Sequence, residues 1–108
     1  MAITVNLRYT GTNGSALAFV KKMTDSGTVD KIRAEEGNLC YEYYRSLDDP
    51  ETVLLIDRWC DQKAIDAHHA SPMMQTIAAL REEYDLHMTV ERYTSLDTPE
   101  SEEKFIRG

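Results

Sequence analysis

The sequence predicts an α+β domain of the ferredoxin-like kind, with elements in the order β-α-β-β-α-β. Three observations carry this expectation. Residues 2–10 and 86–93 alternate apolar and polar side chains with period two. A tight-turn signal separates two strand-like runs in the middle. Helical apolar spacing lies on either side of that pair. The chain has 108 residues. That length is one domain, which buries roughly two-thirds of its unfolded surface.

Each element follows from its own residues. Ile3, Val5, Leu7 and Tyr9 alternate with Thr4, Asn6, Arg8 and Thr10, which predicts a strand over 2–10. GTNGS is then a loop, with Asn13 or Ser15 as helix N-cap. Ala16, Phe19, Val20 and Met23 recur at i, i+3, i+4 and i+7, one face of a helix. Ser26-Gly27 interrupts it, and Val29 and Ile32 belong to a second helical piece that stops at Gly37. The tyrosine-rich run 38–47 reads as a strand, Asp48-Asp49-Pro50 as a turn and 51–60 as a second strand, giving a hairpin. Asp61 caps a short helix to Ala70. Ser71-Pro72 then reads as N-cap and first residue of another helix, with Met73, Ile77, Leu80 and Tyr84 inward. Residues 86–93 alternate again as a fourth strand. The domain is expected over 1–96 and a polar tail over 97–108, in which Phe105 and Ile106 are available for docking.

In Val53-Leu54-Leu55-Ile56 successive residues are all apolar, so both sheet faces are expected to be covered. Helices on one side cover only one of them. A homodimer is therefore expected, the second subunit covering the other face.

Composition excludes several classes. The net charge is −7 and no Lys/Arg cluster stands out, which argues against nucleic acid and against an anionic membrane surface. The longest wholly apolar stretch, Val53–Ile56, falls far short of the roughly 18 residues of a membrane span. The N-terminal MAITVNLRYT lacks the charged and apolar regions of a signal peptide, so a cytoplasmic location is expected, with Cys40 and Cys60 as free thiols. Those two cysteines have no metal-ligand spacing, so no metal is expected. The five glycines form no phosphate-cradling loop, which removes the usual nucleotide cofactors. No Ser-His-Asp order or nucleophile elbow is present either.

The stretches EEGNLCYEYY (35–44), VLLIDRWCDQKAIDAHHASPMM (53–74) and VERY (90–93) resemble the antibiotic biosynthesis monooxygenase family, nearest to its small quinol monooxygenases. The residues carrying the resemblance are Glu36, Gly37, Leu39, Asp57, Trp59, Ala64, His68, Ser71 and Pro72, and it spans 2–94. It implies a dimeric α+β barrel with a pocket between sheet and helices in each subunit. It also implies O2 as co-substrate, a small aromatic substrate, and no flavin, haem or metal. The chain departs from the family at Met73, where relatives often carry histidine, and at Asp57, where they often carry glutamate. Of the haem-degrading branch's three site positions only Asn6 is kept. The others hold His68 and Ala78, which argues against haem degradation.

Seven residues are candidates for the site. His68 shares the inward stripe of Ala64 and Ile65. It is either a bonded histidine at the core edge or a general base, since imidazole titrates near pH 6.5. His69, rotated by about 100°, is a rim residue or a partial replacement for the histidine missing at Met73. Asn6 is a polar residue that must find a partner, or one that orients substrate or O2. Trp59 is a core plug or a stacking platform for an aromatic substrate. Asp57 faces the same way as Trp59 and either orients a histidine or pairs with Arg8 or Arg58. Ile65, His69 and Met73 complete a substrate-binding set with Trp59, beside a catalytic set of His68, Asn6 and Asp57. The three tyrosines Tyr41, Tyr43 and Tyr44 are assigned to packing and the dimer interface.

The leading expectation is a cofactor-independent monooxygenase of a quinol or similar phenol. Two alternatives stand beside it. EEGNL is shared with a branch that isomerises a phosphorylated signalling molecule, which needs cations in the pocket, here Arg8, Arg45 or Arg58. The other is a non-catalytic dimeric binding module, because fold does not guarantee activity.

Overall fold

A computed structural model describes all residues from Met1 to Gly108. The elements are β1 (Ile3–Thr10), α1 (Ser15–Asp25), α2 (Thr28–Arg33), β2 (Asn38–Arg45), β3 (Thr52–Trp59), α3 (Gln62–His69), α4 (Met73–Glu83) and β4 (His87–Tyr93). The four strands form one open antiparallel sheet in the order β2-β3-β1-β4. This is the expected βαββαβ order, with each helical connection broken into two pieces. Ser26-Gly27 makes the first break, Gly27 taking a φ of +80°.

Strand alternation sorts side chains between two faces. On β1, Leu7 and Tyr9 are buried toward the helices, while Arg8 and Thr10 are exposed on the other face. On β3 the helix side receives Val53, Leu55, Asp57 and Trp59. Leu54, Ile56 and Arg58 lie on the opposite face and stay half-buried. The core unites Leu7, Tyr9 and Leu55 of the sheet with Phe19 and Met23 of α1, Ile32 of α2 and Ile77 of α4.

Two details differ from expectation. Ser71 does not cap α4: its hydroxyl is buried without a partner, and Pro72 stands at the N-cap position. Ser15 is the first residue of α1, with Gly14 before it, and its hydroxyl accepts from the Thr12 amide. Asp61 does cap α3, accepting from the Ala64 amide at 2.9 Å.

Gly37 makes the turn from α2 into β2 at a φ of +86°. A Cβ there would meet the Ala64 Cβ at 2.6 Å and the Cys60 sulfur at 2.9 Å, so only glycine lets this turn close against α3. Its carbonyl accepts from the Cys60 amide at 2.8 Å. The preceding residues, Glu35 among them, are thereby held beside α3. Cys40 and Cys60 are both free thiols. After β4 the chain is exposed throughout and contains a short 3-10 helix, Glu100–Phe105. No helix is long and apolar enough to cross a membrane.

Candidate active site

The helices do not seal the sheet completely. Between them and the β1–β4 side lies a cavity of about 300 Å³. Val5, Leu7 and Leu55 form its floor and Met74 and Ile77 its roof, with Met88 and Val90 along the edge strand. Its polar lining is Asp57, His68, His69, Arg81 and Arg92, with Tyr41 beside them. That combination, mostly apolar walls with a few convergent polar groups, is the make-up of a small-molecule site, at the small end of the usual range.

His68 projects from the inner face of α3 and is 5% exposed. Its Nδ1 lies 2.7 Å from Oε2 of Glu35, in the turn that follows α2. A carboxylate only accepts, so Nδ1 carries the hydrogen and donates it. In the neutral ring the lone pair then sits on Nε2, which has no protein partner. Burial lowers the His68 pKa below 6.5, against the raising pull of Glu35. The ring is accordingly a neutral base at pH 7.

Trp59 lies behind His68 rather than in the cavity. It is 1% exposed, its ring stacks on the imidazole at 4.8 Å between centroids, and its Nε1 donates to Asp57 Oδ1 at 2.5 Å. Asp57 is 8% exposed. Burial pushes its pKa up to about 7, partly offset by the Trp59 hydrogen bond; Glu35 raises it further and Arg81 lowers it. The site therefore holds a carboxyl that titrates near neutrality beside an imidazole held in its neutral form, and such perturbed neighbours mark functional sites. Asp57 forms no ion pair with Arg8 or Arg58. Tyr41 and Tyr43 stay neutral, because burial raises both hydroxyls.

Of the residues singled out in the sequence, Asp57, Ile65, His68 and His69 meet at the cavity. His69 is exposed at its rim, its ring 5.8 Å from that of His68. Three do not line it. Asn6 pairs with Ile56 and Glu91 on the far face of the sheet, so the sheet itself separates it from His68; its Oδ1 is buried without a partner. Trp59 packs behind the cavity wall, against His68 and Asp57. Met73 packs on the core, while Met74 occupies the wall. The reason is helical rotation: Met74, Ile77 and Arg81 stand at i, i+3 and i+7 and share one stripe.

The sequence reading missed Glu35, Arg81 and Arg92. Arg8, Arg45 and Arg58 were the expected cations, and none of them lines the cavity. Arg81 donates from Nε and Nη2 to the Tyr9 hydroxyl, at 3.1 and 2.8 Å. Arg92 reaches from β4 to the Gln62 side-chain oxygen on α3. Two signals were readable: the Met74-Ile77-Arg81 stripe, and the alternation of Met88, Val90 and Arg92. Nothing in local spacing links Glu35 to His68.

Comparison with known proteins agrees with this fold. Among solved structures, a Deinococcus radiodurans protein superposes with a TM-score of 0.78 at 17% identity, covering 100% of both chains. Rv0793 from Mycobacterium tuberculosis gives 0.75 at 24% identity, covering 91% of this chain and 98% of that one. SnoaB from Streptomyces nogalater, a cofactor-independent oxygenase, gives 0.74 at 18% identity, covering 90% and 95%. All three are distant enough in sequence to speak for the fold alone. No curated protein matches the chain. The model of one family, described as antibiotic biosynthesis monooxygenase, matches residues 2–80, which include β1 to β3 and most of the cavity wall. The chain belongs to the antibiotic biosynthesis monooxygenase family.

Proposed function

We propose that the protein is a monooxygenase that oxidises a quinol or similar electron-rich phenol with O2 and no bound cofactor. The observation that carries this reading is the neutral His68, oriented by Glu35, on the wall of a small apolar cavity. Nε2 takes the proton of the substrate hydroxyl. The resulting anion passes one electron to O2, and the substrate radical and superoxide combine at a ring carbon bearing hydrogen. Loss of water from that hydroperoxide leaves a carbonyl. The balance is RH2 + O2 → RO + H2O, so the substrate itself supplies all four electrons. Asp57, an acid near neutral pH, supplies the proton with which the hydroperoxide sheds water. The apolar walls hold the ring and exclude bulk water.

The test is O2 uptake by purified, metal-free protein with a panel of hydroquinones. Uptake above autoxidation is expected, and His68→Ala should remove the excess. No excess across the panel rejects the reading. One observation favours a second reading, isomerisation of a phosphorylated small molecule: two arginines line the cavity. That reaction consumes no O2, so the same assay separates the two. A purely structural histidine is disfavoured, since His68 bonds a carboxylate and lines the cavity.

We also propose that the working unit is a homodimer whose second copy covers the sheet face bearing Leu54 and Ile56. That face leaves Asn6 Oδ1 and Arg58 Nε without partners and Tyr44 and Tyr93 nearly half exposed, at 47% and 46%. Sedimentation at micromolar concentration should show a dimer; a monomer rejects this assembly.

A further inference from the structure

The two arginines in the cavity are electrostatically incomplete. The chain carries 19 acidic residues, yet neither Arg81 nor Arg92 has a carboxylate within 4.0 Å. Arg81 is half-buried, its guanidinium 5.5 Å from the centre of the Tyr9 ring, and its only side-chain hydrogen bonds go to the Tyr9 hydroxyl. That hydroxyl is neutral, because burial raises its pKa. A guanidinium has five N–H donors, so Tyr9 holds the fork in place and leaves donors free. Arg92 bonds only the neutral Gln62 amide at the mouth. Withdrawing a guanidinium from water without an anion is costly unless something fills the gap.

The sheet register sets where that gap lies. Val5 pairs with Asp57, and Tyr9 lies four residues further along β1 on the same face. The rise of about 3.3 Å per residue separates those two backbone positions by roughly 13 Å. Arg81 is still near enough to act on Asp57 and His68, so a ring over Leu7 and Leu55 whose hydroxyl meets the acid–base pair would have the fork within reach of a second substituent.

We propose that the substrate carries, away from its reacting hydroxyl, an acidic group held by Arg81 and approached past Arg92. This rests on the reading that the cavity binds an aromatic hydroxyl compound. The shared chemistry is a planar or tetrahedral oxyanion, a carboxylate or a phosphate ester, either of which the fork binds through two N–H donors. Arg81 is then a specificity-determining residue rather than a brace for Tyr9.

The test is anaerobic titration of the full chain, followed by the fluorescence of Trp59, the only tryptophan. The probes are hydroquinone, 2,5-dihydroxybenzoate and 4-hydroxyphenyl phosphate. At least one anionic probe should bind about tenfold or more tighter than hydroquinone, and which one does so identifies the acidic group. Arg81→Gln should bring that ratio close to one. Equal binding of all three probes overturns the proposal, as does a preference that survives Arg81→Gln. Should that variant not fold, Arg81→Lys serves: it keeps the charge, loses the fork and should reduce the ratio. The wild-type preference should also weaken with added salt. O2 uptake with neutral hydroquinone is read separately. Uptake without anion preference sinks this inference alone; anion preference without uptake sinks the oxygenase reading alone.

Discussion

Glu35 and His68 are 33 residues apart in sequence and meet at 2.7 Å, carboxylate to Nδ1. One lies in the turn between α2 and Gly37; the other stands on the inner face of α3. The contact decides which imidazole nitrogen is free to take a proton.

Glu35→Gln tests that contact. The amide oxygen still accepts from Nδ1, so the ring stays in place, while the charge that raises the His68 pKa is gone. The His68 titration should therefore move to lower pH. The rate should fall about tenfold, against roughly 10²–10⁴-fold for His68→Ala. An NMR titration of the imidazole, beside the pH profile of O2 uptake, reads both effects. An unmoved His68 titration would refute the orienting role.

Asp57→Asn separates stability from pH. The Asp57 carboxyl is raised from 3.8 to about 7, so between those values the folded state binds the proton that the unfolded state has released. Its contribution to stability is thus full at low pH and is lost as pH rises toward 7. The full shift corresponds to about 4 kcal/mol as an upper bound. His68 has the opposite sign: its lowered pKa costs stability as pH falls below 6.5. Asparagine still accepts from Trp59 and removes only the Asp57 effect. Denaturation at pH 5 and pH 8 should show the variant gaining on wild type at the higher pH. A constant difference would show that the carboxyl is not raised.

Trp59→Phe keeps an aromatic ring against His68 and deletes the donor to Asp57. That hydrogen bond lowers the Asp57 pKa, so the variant should titrate above about 7. A carboxyl-monitored infrared titration reads this directly. A downward move would contradict the assignment.

Gly37→Ala and Gly14→Ala make a matched pair. Both glycines have positive φ, +86° and +81°. A Cβ at Gly14 meets nothing within 4 Å, while one at Gly37 strikes Ala64 and Cys60. Gly14→Ala should cost about 1–2 kcal/mol for the left-handed backbone alone. Gly37→Ala adds an overpacking cost of about 1–3 kcal/mol. Because it pushes on the helix that carries His68, it should also lower activity. Equal melting shifts for the two variants would mean that α3 yields freely.

The sequence by itself determined the elements and much of their facing. Alternation in 3–10, the Asp48-Asp49-Pro50 turn and the Ala64-Ile65-His68 stripe each follow from neighbours a few residues apart, so local geometry settles them. Alternation had even set Asn6 opposite Val5 and Leu7; only the family resemblance drew it toward the site. Tertiary structure decided which faces meet. The order β2-β3-β1-β4 brings Val5, Asp57 and Arg92 into one row, and the α4 rotation swings Arg81 rather than Leu80 over the cavity. Glu35 reaches His68 because Gly37 lets the chain turn tightly against Ala64. Residue spacing encodes the face of one element, whereas a site made from six elements depends on how they pack. That is why His68 was legible in the sequence and its partners Glu35, Arg81 and Arg92 were not.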